Sequence, residues 1–122
     1  MTQQTDHSQS SAVNLPELLE RLDDDHQLLC ELVAAFERTF PTELQALQLA
    51  VARADMSTVT TASHTLKGML AGLSVTRAAT AAQRLEQMGR DGLSPGLAEA
   101  LKVLEHEVAN LLPELQTYIR RT

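Results

Sequence analysis

Apolar residues recur at helical spacing along nearly the whole chain, and no segment alternates with a period of two over any length. Val59, Ala62, Leu66, Leu70 and Leu73 fall at i, i+3, i+7, i+11 and i+14, one stripe of a helix that Asp55 or Ser57 can cap and that runs to about Leu73. A longer stripe (Leu29, Leu32 or Val33, Phe36, Phe40, Leu44, Leu47, Val51) predicts a helix from about His26 to Ala54. Pro41 inside that stripe is expected to kink the helix or split it. Ser74 or Thr76 is a cap for a third helix with Ala78, Ala79, Ala82, Leu85 and Met88 inward, and Gly89 and Gly92 bracket its end. Ser94-Pro95 reads as an N-cap with proline at the first helical position. From there Leu97, Leu101, Leu104, Val108, Leu111 and Leu115 form a final stripe, in which Pro113 predicts another kink.

The first fourteen residues read differently. Residues 1–13 are rich in Gln, Ser and Thr and bury little, which predicts a disordered tail or the end of a linker, with the folded domain spanning residues 14–122. Asn14 with Glu17 three residues on resembles a capping box and opens a short helix, Leu15 to Leu22; Asp23-Asp24-Asp25 then caps the next. Four long helices joined by short loops pack as an all-α, antiparallel up-down four-helix bundle, here with a short extra N-terminal helix.

Composition narrows the class. The 122 residues suffice for one core, and only Phe36, Phe40 and Tyr118 are aromatic. A lone cysteine, Cys30, excludes an internal disulfide and fits a reducing, cytoplasmic setting. No apolar run approaches membrane-spanning length, so no membrane association is expected. Residues 56–90 hold four cations (Lys67, Arg77, Arg84, Arg90) against Glu86, a local +3; the net charge of −6 therefore leaves −9 on the remainder. Such an acidic chain is a poor nucleic-acid binder, but its mildly basic strip suits a partner with an acidic pocket.

That strip contains the chemistry. On a helical wheel His64 lies about 160° from Leu66, so burying Leu66 turns His64 to solvent. Lys67, Gly68 and Ala71 lie within about 60° of it, and Gly72 is close by. A mid-helix glycine costs about 1 kcal/mol relative to alanine, and this helix carries two. Close approach of another backbone would offset that cost, either from a docking partner or from a small-xxx-small contact inside the domain. A lysine one turn from the histidine on a bare face favours an anion, hence the partner. Imidazole is nucleophilic at neutral pH, and phosphoryl transfer asks mainly for in-line placement and charge neutralisation. His106 lacks a second ligand at i+3 or i+4, where Ala109 and Asn110 stand, so no metal site is expected.

His64-Thr65-Leu66-Lys67-Gly68, Leu73, and Leu85-Glu86-Gln87-Met88-Gly89-Arg90 resemble the histidine phosphotransfer (HPt) domain of multistep phosphorelays, and the similarity spans about residues 15–120. The resemblance implies that His64 takes a phosphoryl group from a receiver-domain aspartyl phosphate and passes it to another receiver. It also implies that Lys67 neutralises phosphoryl oxygens, Gly68 gives docking clearance, and Glu86 orients the imidazole. It implies no cofactor, magnesium belonging to the receiver, no kinase activity toward ATP, and a monomer. Ala71, Gly72, Leu15, Leu18 and Leu19 are the expected receiver-docking residues, although the three leucines can instead cover one end of the bundle. The chain departs from the family at Met69 and Leu70, where serines are usual, and at Ser74, where glycine is usual. Two other readings stand beside it. One is a sensor-kinase dimerisation helix, opposed by Thr65 after the histidine and by the missing nucleotide loop. The other is a non-transferring scaffold that binds receivers or a kinase.

Overall fold

The computed structural model describes residues 13–121, which form six helices and no strand. These are α1 (Leu15–Arg21), α2 (His26–Arg53), α3 (Met56–Gly72), α4 (Thr76–Asp91), α5 (Leu97–Val108) and α6 (Leu111–Arg121). Helices α2, α3, α4 and the α5–α6 pair make the four antiparallel columns of a bundle, with α1 as the short extra helix. Leu29, Phe36 and Leu47 from α2 meet Val59, Leu66 and Leu70 from α3, Leu85 from α4, Leu104 from α5 and Leu115 from α6 in one core. Each such leucine contributes about 1.5–3 kcal/mol through burial.

Capping follows the expected chemistry at three starts. Asn14 accepts from the Glu17 amide at 3.2 Å, Asp25 from Leu28 at 3.0 Å and Asp55 from Thr58 at 3.3 Å. The other starts differ from the sequence-based expectation. Helix α4 begins after Val75 with no side-chain cap. Ser74 instead closes the end of α3: its backbone is left-handed (φ 59°) and its hydroxyl accepts from Arg21 at 3.0 Å. That conformation is one that glycine adopts without strain. Helix α5 starts two residues later than Ser94-Pro95 suggests, because Gly96 at φ 89° supplies the turn. Gly92 ends α4 in the left-handed region, whereas Gly89 lies buried inside the helix.

The prolines act differently from one another. Helix α2 runs unbroken through Pro41. Pro113 sits in the first turn of α6, and the helix break falls at Ala109–Asn110, where the carbonyl four residues before the proline would clash. At the amino end the folded unit includes Val13, buried at 4 % exposure with its amide donating to Glu114, one residue earlier than expected. The expected tail otherwise lies outside the described residues.

Candidate functional site

Helix α3 separates its faces as its wheel requires. Leu66 is fully buried while the His64 side chain is 65 % exposed. Gly68, Ala71 and Gly72 continue along the outer face as exposed residues. A Cβ added at Gly68 or Gly72 would meet nothing within 4 Å. The two glycines therefore serve no close packing inside the domain, which removes the small-xxx-small explanation for them.

Gly89 is the glycine that the fold itself requires. A Cβ there would stand 2.5 Å from Thr60 Oγ1, 2.9 Å from Thr60 N and 3.1 Å from the Met56 carbonyl. Its bare backbone lets α4 lie close against α3, one turn from Glu86. Glu86 thus reaches across to α3 while remaining buried, at 2 % exposure. Its Oε2 lies 3.0 Å from His64 Nδ1 and 2.6 Å from Arg90 Nη2, and its Oε1 lies 2.9 Å from Lys67 Nζ. A buried carboxylate is tolerated only with such partners. The Lys67 ammonium beside it, then the His64 hydrogen bond and the Arg90 charge, hold the Glu86 carboxyl below its ordinary range, against the opposing effect of burial.

This arrangement assigns the imidazole tautomer. An ionised carboxylate only accepts, so His64 Nδ1 carries the hydrogen and donates it to Glu86. Nε2 is left with its lone pair on the exposed side of the ring. The cluster can therefore present an oriented nucleophile beside an ammonium group, with the opposing negative charge kept out of solvent.

The structure gathers His64, Lys67 and Glu86 and lays Gly68, Ala71 and Gly72 beside them. Two grooves flank that strip. One is lined by Arg21, Lys67, Gly68, Ala71 and Gln83; the other, apolar, by Leu32, Phe36, Gly68, Met69 and Gly72. Leu18 does not belong to this surface: it is fully buried in the core. Leu15 and Leu19 are half-buried against the core, and Leu15 lines a depression with Pro113 and Tyr118 of α6 instead of joining the histidine strip. Arg90 was missed as a site residue, although its i, i+4 spacing from Glu86 signals the pair. Arg21 was missed too. It ties α1 to the end of α3 through the Ala71 carbonyl at 2.9 Å. Among the described residues no group of three or more His, Cys, Asp or Glu is placed to hold a metal ion, and no helix is long and apolar enough to cross a membrane.

The bundle carries an exposed histidine on its α3–α4 hairpin, and sequence comparison identifies the family. The Hpt domain model matches residues 31–116, and the chain belongs to that family, whose members act as histidine phosphotransfer modules in phosphorelays with receiver domains. The fold is similar to the crystal structure of histidine-containing phosphotransfer protein B (HptB) from Pseudomonas aeruginosa PAO1. The TM-score is 0.72 at 21% sequence identity, over 91% of this chain and 96% of that one. No curated protein matches the sequence.

Proposed function

We propose that His64 is the phosphoryl acceptor, that it reacts through Nε2, and that it carries the group between the aspartates of two receiver domains as a monomeric, cytoplasmic protein without ATP-dependent kinase activity. One observation carries this reading: His64 is held on Nδ1 by a buried carboxylate while its side chain stays 65 % exposed, on a face it shares with two glycines where an added Cβ would meet nothing within 4 Å. Charging forms the Nε2–P bond as the aspartyl P–O bond breaks with its electron pair. Glu86 orients the ring, and Lys67 is close enough to turn from Glu86 to the phosphoryl oxygens. Gly68, Ala71 and Gly72, with the apolar groove toward α2, offer the receiver its landing surface.

The test is transfer from a receiver charged with labelled acetyl phosphate. Acid-labile, base-stable label is expected on the protein, absent from His64→Gln and accumulating about ten- to a hundredfold more slowly in Lys67→Ala. Label from ATP alone would indicate a kinase. Binding of receivers without label would indicate a scaffold.

A further inference from the structure

The ring partner of His64 is a buried charge and not a neutral amide, and that charge has a consequence for the loaded state. We propose that Glu86 keeps the proton on Nδ1 after Nε2 is phosphorylated, so that the N–P bond breaks from a protonated ring and the carrier stays poised to discharge. The proposal rests on His64 being the acceptor.

The electron count shows why. When the Nε2 lone pair forms the N–P bond with the Nδ1 hydrogen in place, the ring becomes cationic. In discharge a receiver aspartate oxygen forms its bond to phosphorus, the N–P pair returns to Nε2, and a neutral imidazole leaves with its Nδ1 hydrogen untouched. No proton moves in either direction. A ring that had lost the Nδ1 proton would have to leave as an anion, a far poorer leaving group. The carboxylate 3.0 Å away, at 2 % exposure, opposes that loss.

Lys67 on α3 and Arg90 on α4 both hold Glu86 and weaken its hold on the ring. An arriving phosphoryl group draws Lys67 off Oε1 and removes one of these competitors. Along the groove at Gly68, Met69 and Gly72, helix α2 contributes Leu32, Ala35, Phe36 and Thr39, none of them titratable. Arg21 of α1 is engaged two turns away with Ala71 and Ser74, and Glu107 of α5 is paired with Arg77. Glu86 is thus the group that decides the fate of the proton, a positioning residue acting through His64.

Phosphoramidate can load the intact protein, Glu86→Gln and Arg90→Gln, and phosphorus NMR can follow loss of phosphohistidine from neutral to alkaline pH. The rate falls as the ring loses its proton. That descending limb is expected about one pH unit lower in Glu86→Gln than in the native protein, so that the variant's phosphohistidine lives about tenfold longer between the two limbs. Arg90→Gln should move the limb the other way. Superimposed limbs for the native protein and Glu86→Gln overturn the proposal. If Glu86→Gln does not fold, an unmoved limb in Arg90→Gln overturns it. A native protein that takes no label, or a His64→Gln variant that labels equally well, overturns the acceptor assignment itself, a different and separable failure.

Discussion

Adding one methyl group at Gly89 sets a carbon 2.5 Å from Thr60 Oγ1 and 2.9 Å from Thr60 N. The hydroxyl cannot simply swing clear, because it is bonded to the Met56 carbonyl at 2.9 Å, and the amide is backbone. Bringing Thr60 Oγ1 from 2.5 Å back to ordinary contact needs about 0.9 Å of retreat of α4 from α3 at this point, an overpacking that costs about 2–3 kcal/mol. Alanine's better helix propensity returns about 1 kcal/mol, leaving a net loss of about 1–2 kcal/mol and a melting point about 4–10 °C lower. The same methyl at Gly68 meets nothing within 4 Å, so only the propensity gain remains and Gly68→Ala should stabilise by up to about 1 kcal/mol. The two variants therefore separate a glycine that the fold needs from one that it does not. Thermal melts followed by circular dichroism measure the first effect, and receiver titrations of Gly68→Gln measure the second. A Gly89→Ala protein melting at or above the native temperature would refute the close-approach argument. A Gly68→Gln protein binding receivers with native affinity would refute the docking argument.

Other expectations follow from the same geometry. The Glu86 carboxyl is held below its ordinary value, so its charged form is favoured in the folded state. Its stabilising contribution is complete above the ordinary value of about 4.5 and is lost as the pH falls through the depressed folded value. The stability gap between the native protein and Glu86→Gln should therefore narrow below that pH, and denaturant titrations at neutral and acidic pH measure it; a gap that widens on acidification contradicts the pairing. Ala54 ends α2 in the left-handed region at φ 54°, so Ala54→Gly should raise stability by about 0.5–1 kcal/mol, read from the denaturation midpoint. Leu66→Ala, at a fully buried position, should cost about 3 kcal/mol.

The bundle was legible because its apolar stripes are long and its composition is helical. Leu66 inward and His64 outward follow from the wheel alone. Boundaries were less so, for identifiable reasons. Ser74 is chemically a good N-cap, but its left-handed backbone closes α3 and ties it to Arg21, a contact that spans 53 residues. Pro113 signals a disturbed helix, yet the break lies at its i−4 carbonyl and not at the ring. Gly68 and Gly89 look alike in sequence; only the position of Thr60 on the neighbouring helix distinguishes them. Leu18 obeys the same pattern as Leu15 and Leu19, and its burial depends on how α1 lies across the bundle end. The neighbours of His64 on its own helix, Lys67 and Gly68, could be read locally. The sharing of Glu86 among His64, Lys67 and Arg90 could not, since it depends on the register of two helices.

The most direct measurement is nitrogen–phosphorus coupling in the nitrogen-labelled, phosphorylated protein. A single coupled resonance at Nε2 of His64, with Nδ1 still protonated against Glu86, is the expected spectrum. Phosphorus on Nδ1, or on His26 or His106, would contradict the account at its centre.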